Sequence, residues 1–311
     1  MDTVHDPAPE APFRVLSVAP DGKTATGPGV VDMKGGLVVA IHALEALAEV
    51  GLDASFGFIL NSDEETGSFC SDRALRAEAS RPEYAAALAL EPANGPTGLV
   101  TSRGGSGQCM IEARGKAAHV GRDFASGRSA TDLLARAVLA VHGLTNTVAG
   151  SIVNVSTLWC DQPPNQVADH AAAWGNLRYA TSEAGDALAR GLAAALAALS
   201  PTDLTLHLSL IRPAKPALPE TLALAETVRA TAAMLGQSIT YTSTAGVCDG
   251  NNLQAGGRAA SGPIGAGLAG PASDMGGGRP ARPGFRTGPP PTTPPPPPPP
   301  HPPPPGPAPP R

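Results

Sequence analysis

The stretch that decides the fold is Asn61-Ser62-Asp63-Glu64-Glu65-Thr66-Gly67-Ser68, which directly follows the apolar run Phe56-Gly57-Phe58-Ile59-Leu60. The apolar run predicts a buried β-strand, so the three carboxylates fall at its C-terminal end. Ligands bind at this edge in open α/β sheets. Adjacent like charges repel, and a divalent metal is the usual partner that compensates them. The simpler alternative is a solvated acidic turn with Ser62 or Asp63 as a helix N-cap.

Two further acids occupy comparable positions. The glycine-rich residues 27–36 deliver Asp32 to the start of a helix that is predicted to run to about Glu49. This helix has an apolar stripe at 3.6-residue spacing, made of Val38, Ile41, Leu44 and Leu47. Residues 85–90 form another apolar run, which ends at Glu91-Pro92, where the proline stops the strand. A lone Asp at a helix start is more often a cap than a ligand. Acids at several element boundaries nevertheless suggest a two-metal site with one bridging carboxylate.

These residues resemble the glutamate carboxypeptidase, aminoacylase and acetylornithine deacetylase family of co-catalytic zinc metallopeptidases, in particular its glutamate carboxypeptidase-like branch. The matching motifs are Met1-Asp2-Thr3-Val4, Gly27-Pro28-Gly29-Val30-Val31-Asp32-Met33-Lys34-Gly35-Gly36, Asp63-Glu64-Glu65-Thr66-Gly67-Ser68, Glu91-Pro92 and Gly115-Lys116-Ala117-Ala118-His119-Val120-Gly121. Weaker matches are Pro164-Asn165, Leu177-Arg178-Tyr179 and residues 246–252. Each motif alone is weak, but they occur in the family's order and spacing.

The resemblance implies a role for each matching residue. Asp32 would bridge two Zn²⁺ ions per subunit, and Glu65 and Glu91 would each complete the carboxylate set of one ion, with Co²⁺ or Mn²⁺ as possible substitutes. Glu64 would be the general base, and Asp2 would orient a metal-bound histidine. The implied substrate-binding residues are His119, Asn165 and Arg178. Without the resemblance, His119 is a loop histidine, and Arg178 is as well explained as a surface cation.

The resemblance also implies an α/β fold with two parts. Residues 1–106 and 214–257 would form a zinc-peptidase-like catalytic domain, a mixed sheet flanked by helices. Residues 107–213 have the predicted order β-α-β-β-α-β, which is typical of a ferredoxin-like unit, and would form an inserted lid and dimerisation domain. Through this lid the chain would form a homodimer in which His119 reaches the partner's site. Residues 258–311 are predicted to be a disordered Gly/Pro-rich tail.

The chain departs from the family pattern at both ends. The histidine ligand that precedes Asp2 in the family would lie before Met1, and the C-terminal histidine ligand has no counterpart, since His301 stands within proline-rich sequence. We therefore expect impaired metal binding and little activity. We interpret these ends as a miscalled start and a shifted reading frame. A genuine proline-rich interaction tail is the alternative.

Composition narrows the remaining possibilities. The net charge is −5 and no basic patch is present, which argues against nucleic acid as a partner. No apolar run reaches the length of a membrane span and no signal peptide opens the chain, so we expect a cytoplasmic protein, although a start further upstream would weaken this second point. The sequence thus predicts a metal-dependent hydrolase that cleaves an amide or peptide bond next to a free carboxylate, a carboxypeptidase or an N-acyl-amino-acid amidohydrolase. The alternative is a non-catalytic, dimerising relative with a proline-rich interaction tail.

Overall fold

The structure is a computed structural model, and it describes residues 2–5, 15–52, 56–92, 95, 97–257 and 259–261. Its strands are β1 (Ser17–Val18), β2 (Ala25–Thr26), β3 (Ala86–Leu88), β4 (Gly98–Arg103), β5 (Gly105–Arg114), β6 (Ala118–His119), β7 (Ile152–Trp159), β8 (Gln166–Val167), β9 (His170–Tyr179), β10 (Leu204–Arg212), β11 (Thr240–Thr244) and β12 (Ala259–Ser261). Its α-helices are α1 (Gly35–Glu49), α2 (Asp72–Ala79), α3 (Ala130–His142), α4 (Ser182–Leu199), α5 (Pro219–Met234) and α6 (Asp249–Ala255).

Residues 105–212 form a unit, here called the four-stranded unit, with one antiparallel sheet in the order β10-β5-β9-β7. The main elements follow one another as β5, α3, β7, β9, α4 and β10, which is the predicted β-α-β-β-α-β order. The short pair β6–β8 is inserted between them. The predicted strands and helices in this stretch are confirmed, whereas the role of the unit as a lid and dimerisation domain stays a prediction.

The sequence of the four-stranded unit explains its packing. In β10 the residues from Leu204 to Leu210 alternate, with leucines against the core and polar residues outside. In α4 the side chains of Leu188, Leu192 and Leu196 recur every four residues and are buried against the sheet. Both long helices have side-chain N-caps, Ser129 for α3 and Thr181 for α4.

The acid-bearing region comprises the described residues before Gly105 and after Arg212. Two of its strand pairs are parallel, β11 with β4 and β12 with β3, while β1 and β2 pair antiparallel. Helix α6 packs on α2 through Leu75, Ala79 and Leu253. Parallel pairs with crossover helices define an α/β fold. Residues 259–261, which the sequence assigned to the tail, instead form β12. The rest of the predicted tail, from residue 262 onwards, lies outside the described residues.

Two predictions for the acid-bearing region are wrong. Residues 56–60 form no strand, and the side chains of Phe56 and Ile59 are 56% and 43% exposed. The predicted apolar stripe of α1 is exposed as well at Val38, Ile41 and Leu44. Apolar patterning predicts burial only where a second layer covers it, and the described part of the chain places no strand beside residues 56–60 and no layer over this face of α1.

The two regions meet at a short junction. Arg103 and Lys215 form an antiparallel bridge in which each backbone N–H donates to the other's carbonyl, at 2.8 and 2.9 Å. The amide of Asn251 donates to the carbonyls of Gly104 and Pro213, both at 2.8 Å. Asn251 therefore ties α6 to the two points where the chain enters and leaves the four-stranded unit. None of the helices in the described ranges is long and apolar enough to span a membrane.

Candidate active site

Asp32 and Glu91 are brought together by a close approach of two backbone segments. Asp32 lies in the distorted turn Val30–Lys34 before α1, and Glu91 follows β3. At Gly36, in the first turn of α1, a Cβ atom would lie 2.0 Å from the carbonyl oxygen of Leu90. Only glycine therefore fits at this position. The approach leaves the two carboxyl groups joined by a side-chain hydrogen bond.

Glu64 and Glu65 lie on a tight turn that leads into α2. The N–H of Gly67 donates to the carbonyl of Glu64 at 2.9 Å, and that of Ser68 to the carbonyl of Asp63 at 2.7 Å. Gly67 and Ser68 both have positive φ, 108° and 58°. Ser68 adopts this rare conformation while fully buried. The turn thus points two adjacent acids away from α2.

Asp63, the acid before Glu64, holds the turn through hydrogen bonds of its carboxylate. Its carboxylate accepts from the hydroxyl of Ser71 at 2.6 Å and from the N–H groups of Cys70 and Ser71 at 2.7 and 3.1 Å. Desolvation raises the pKa of Asp63, but these hydrogen bonds outweigh it and lower the pKa overall. The simpler interpretation, in which Ser62 or Asp63 is a helix N-cap, is wrong, because the N-cap of α2 is Ser71. Asp63 instead accepts from the N–H groups of Cys70 and Ser71, just before that helix.

Arg212, the last residue of β10, is the cation closest to Glu64. Its guanidinium is 3% exposed and contacts Glu64 Oε1 at 2.8 Å and Asp249 Oδ1 at 3.2 Å. It also donates to the carbonyl of Glu64 at 2.9 Å and to the hydroxyl of Ser68 at 2.8 Å. Arg212 therefore fixes both the backbone and the side chain of Glu64.

Asp249 completes this network from the start of α6. It accepts hydrogen bonds from the hydroxyl of Ser68 and, at 2.7 Å, from the amide of Asn61. Because Asn61 also donates to Ser71 at 3.1 Å, the network ties α6 to the start of α2. The acids of the turn are thus held by groups from β10 and α6, which lie far away in the sequence.

The acids influence one another strongly. Burial raises the pKa of Glu64 and of Glu65 to about 7, and that of Glu91 to about 8. The pKa of Asp32 is also raised, first by desolvation and opposed by its hydrogen bond with Glu91. Repulsion between neighbouring carboxylates adds to each increase, although Arg212 opposes it at Glu64 and Glu65. These four carboxyl groups therefore form one electrostatic cluster, here called the acidic cluster.

Two buried cations lie behind the acidic cluster. Arg103, at the end of β4, interacts electrostatically with Asp32 and Glu91 and donates to the carbonyl of Gly246 at 3.1 Å. Lys215 is 1% exposed and donates to the carbonyl of Thr101 at 2.9 Å. Burial lowers the pKa of Lys215 to about 8. Partial compensation by Arg103 and Arg212 allows several acids to be buried together.

The predicted site residues fall into two groups. Asp2 joins the acidic cluster, since its carboxylate accepts from the N–H of Glu65 at 2.9 Å. Burial, together with the charge of the nearby Arg212, lowers the pKa of Arg178. Its Nη1 atom is buried and has no hydrogen-bond partner among the described residues. His119 and Asn165 lie on the β6–β8 hairpin, where the N–H of Val120 donates to the carbonyl of Asn165 at 2.9 Å. No hydrogen bond or ion pair recorded in the described segments joins this hairpin to the acidic cluster.

A metal centre matches the acidic cluster only in part. The carboxylates supply the oxygen donors and the negative charge that a divalent cation requires. In the portion of the chain that the structure describes, however, no group of three His, Cys, Asp or Glu side chains is placed to hold one ion. Zinc sites normally have at least three protein ligands. The described residues thus match a metal centre in charge but fall short in ligand number.

The sequence did not predict the contacts of Arg212 and Asn61, and it placed Asp249 only within the weaker motif match of residues 246–252. These groups join positions 37 to 188 residues apart. For Arg212 a local signal was present, because it is followed by Pro213 at the end of a strand. This is the same pattern that drew attention to Glu91-Pro92, a charged residue fixed at a strand end by a proline.

The sequence profile of peptidase family M20/M25/M40 matches residues 1–275, so the chain belongs to this family of peptidases and amidohydrolases. The resemblance inferred from the motifs is confirmed. Carboxypeptidase G2 from Pseudomonas sp. (strain RS-16) is 30% identical to this chain over 197 residues, which make up 62% of this chain and 46% of that protein. The chain thus spans about half the length of this relative.

Two solved structures share the fold. Aminopeptidase PepT from Bacillus cereus ATCC 10987 is 20% identical with a TM-score of 0.64, and the match covers 81% of this chain and 68% of that one. A tripeptidase from Staphylococcus aureus subsp. aureus mu50 is 18% identical with a TM-score of 0.67, at the same coverage. At these identities the similarity concerns the fold, and it confirms the predicted α/β class.

Proposed function

We propose that this chain is a metal-dependent hydrolase that cleaves an amide or peptide bond next to a free carboxylate, as a carboxypeptidase or an N-acyl-amino-acid amidohydrolase. The observation that carries the proposal is the acidic cluster of Asp32, Glu64, Glu65 and Glu91, with Glu64 fixed by Arg212. Family membership and the similarity to carboxypeptidase G2 support the reaction class.

Divalent metal dependence is part of the proposal. Asp32, Glu65 and Glu91 are the carboxylates that would hold Zn²⁺, or Co²⁺ or Mn²⁺ in its place. When bound, such ions polarise the scissile carbonyl and lower the pKa of water. Further ligands must supplement these three carboxylates, because the described residues fall short in ligand number.

Glu64 is the proposed proton carrier. Arg212 Nη1 contacts Oε1 of Glu64 at 2.8 Å, so an ion pair fixes this carboxylate beside the other acids. A carboxylate oriented in this way can take a proton from the attacking water and give it to the leaving amine. Asp2 is proposed to orient the turn that carries both glutamates, because its carboxylate accepts a hydrogen bond from the N–H of Glu65.

Arg178 is the proposed group that binds the substrate's carboxylate. Its buried Nη1 atom has no partner, and a planar guanidinium bonds a carboxylate bidentately. His119 and Asn165 are proposed to act from the hairpin across a homodimer. Strand β7 is an edge strand with an exposed Leu158, which offers a surface for such an association.

Hydrolysis of N-acyl-glutamate substrates tests the proposal. The purified chain is assayed for released glutamate with Zn²⁺, Co²⁺ or Mn²⁺ and compared with Glu64→Gln and, as a matched control, Glu49→Gln at the exposed end of α1. We expect a low metal-stimulated kcat, because the described residues fall short in ligand number. Glu64→Gln should lower this kcat by roughly 10²–10⁴-fold, and Glu49→Gln should leave it unchanged. Metal-stimulated hydrolysis that survives Glu64→Gln would refute the assignment.

Metal content separates the alternative function. After dialysis, a hydrolase of this kind retains a divalent ion that Asp32→Asn weakens. A chain that retains no ion, shows no metal-stimulated hydrolysis and still dimerises would instead be the non-catalytic relative with a proline-rich interaction tail.

A further inference from the structure

A small pocket on the four-stranded unit takes no part in the proposed reaction. It lies on the face of the sheet opposite α3 and α4 and has a volume of about 250 Å³. Its lining residues are Met110, Glu112, Trp159, His170, Ala172 and Trp174. These six residues are here called the tryptophan pocket.

Strand alternation places both tryptophans of the chain in this pocket. In β9 the side chains of Ala171 and Ala173 enter the core under the helices, so the even-numbered residues face the other side. Ala172 is the register partner of Trp159 and precedes Trp174 by two residues. It is only 4% exposed although it lies on the open face. The two indole rings therefore flank a small apolar floor.

One wall of the pocket is held in place by a chain of contacts. The ring of His170 meets the edge of Trp159 at 5.4 Å between centroids. His170 Nε2 lies 2.9 Å from Glu112 Oε1, and Arg114 contacts the same oxygen at 3.2 Å. Among the described residues, the recorded contact of the other oxygen, Oε2, is with the ring of His207, at 4.0 Å. Glu112 is thus fixed through one oxygen, while the second is available to another donor.

These features match the sites that bind proline-rich peptides. Such peptides dock as polyproline II helices in grooves lined by aromatic rings, and an acid beside the groove pairs with a basic residue of the peptide. A polyproline II helix repeats every three residues, roughly 9 Å. Residues placed diagonally on neighbouring antiparallel strands, as Trp159 and Trp174 are, lie about 7–8 Å apart. One indole ring can therefore pack against each of two successive turns.

We propose that the tryptophan pocket binds residues 289–311 of this same chain, which adopts the alternative interpretation of this segment as a genuine proline-rich interaction tail. In this segment 17 of 23 residues are proline, and its last residue is Arg311, a donor suited to Glu112 Oε2. The 27 residues between Ser261 and Pro289 span at most about 90 Å when extended. A compact chain of some 260 residues has a radius of gyration of only about 18 Å, so the connection is long enough. The proposal does not depend on the proposed hydrolase activity.

Tryptophan fluorescence of the full chain tests the proposal directly, because both reporters line the pocket and residues 289–311 contain no aromatic residue. In one variant the seven prolines 294–300 become serine, and in a matched control the seven residues 264–270 become serine. We expect the acrylamide quenching constant to rise at least twofold in the first variant and to stay unchanged in the control. Equal quenching in all three proteins would overturn the proposal.

Titration of a synthetic 289–311 peptide into the proline-to-serine variant provides a second measurement. We expect a saturable fluorescence change. Trp159→Leu, which leaves Trp174 as the reporter, should weaken binding at least tenfold, whereas Phe124→Leu, an exposed aromatic outside the pocket, should not. Far-UV circular dichroism confirms that each variant is folded. Binding that Trp159→Leu leaves intact contradicts the proposed site.

A mutant cycle tests the contact of Arg311 with Glu112. The peptide with Arg311→Gln should bind the proline-to-serine variant more weakly, and this loss should disappear when the protein also carries Glu112→Gln. A loss that persists in the Glu112→Gln protein would place the arginine elsewhere and refute this part of the assignment.

Discussion

The four-stranded unit and the acid-bearing region are stabilised in different ways. In the four-stranded unit a continuous apolar cluster extends from Cys109 to Leu204 between the sheet and two capped helices. In the acid-bearing region the described residues form one small apolar cluster, Leu75, Ala79 and Leu253, and Arg212 makes buried ion pairs with Glu64 and Asp249. The first arrangement is largely non-directional, whereas the second depends on exact pairing of charges.

This difference predicts opposite responses to mutation. Apolar truncation should damage the four-stranded unit and be tolerated in the acid-bearing region, while removal of a charge should do the reverse. The following changes test that contrast, beginning with the largest expected effect.

Leu192→Ala should lower the free energy of unfolding by about 3–5 kcal/mol, because Leu192 is fully buried between α4 and the sheet. Ile41→Ala on α1 should change it by less than about 0.5 kcal/mol, because Ile41 is half exposed. Urea unfolding followed by circular dichroism measures both. A large loss for Ile41→Ala would mean that this face of α1 is covered in solution, and the contrast between the regions would then fail.

Arg212→Met should lower the free energy of unfolding by about 2–4 kcal/mol, because it leaves Glu64 and Asp249 without their buried cation. We expect a loss in the lower part of this range, because the side chains of both carboxylates are partly exposed to solvent. Arg229→Met, at an exposed ion pair on α5, is the matched control and should cost less than about 1 kcal/mol. Equal costs for the two arginines would show that burial adds nothing to the pair with Glu64.

Lys215→Met should change the pH dependence of stability. The native pKa of Lys215 is about 8, and its unfolded pKa is about 10.4. Between these two pH values the unfolded state binds more protons than the native state. The free energy of unfolding of the wild type should therefore rise with pH relative to that of the variant, by roughly 2–3 kcal/mol over this pH range. Cys248, which interacts electrostatically with Lys215 and whose pKa burial raises to about 11, is present in both proteins. Urea unfolding from pH 7 to 10.5 gives the difference, and parallel curves would contradict the assignment.

Ser129→Ala should give the smallest effect, a loss of about 1 kcal/mol, because the hydroxyl of Ser129 accepts from the N–H of Asp132 at 3.2 Å and caps α3. Thr131→Ala in the same turn, which caps no helix, is the control and should cost less. Thermal unfolding monitored by circular dichroism measures the pair. An equal loss for the two changes would remove the cap as the cause.

The contrast also explains how much the sequence could predict. In the four-stranded unit the predicted β-α-β-β-α-β order is confirmed, because period, caps and turns are local signals. In the acid-bearing region the predicted strand at residues 56–60 failed, since burial of an apolar run depends on what covers it. The acids of the candidate site were identified through motifs. Their cationic partner Arg212 was missed, because the contact between Arg212 and Glu64 spans 148 residues and no pattern within a short window contains both.

Gly36 has a consequence for any attempt to redesign the candidate site. Because Gly36 has no Cβ atom, the first turn of α1 can contact the carbonyl of Leu90. This contact sets the distance between Asp32 and Glu91. Replacement by alanine would force the helix and the strand apart without touching either acid. The spacing of the two oxygen donors is thus encoded in a residue that has no side chain, and mutagenesis confined to charged positions would not reveal it.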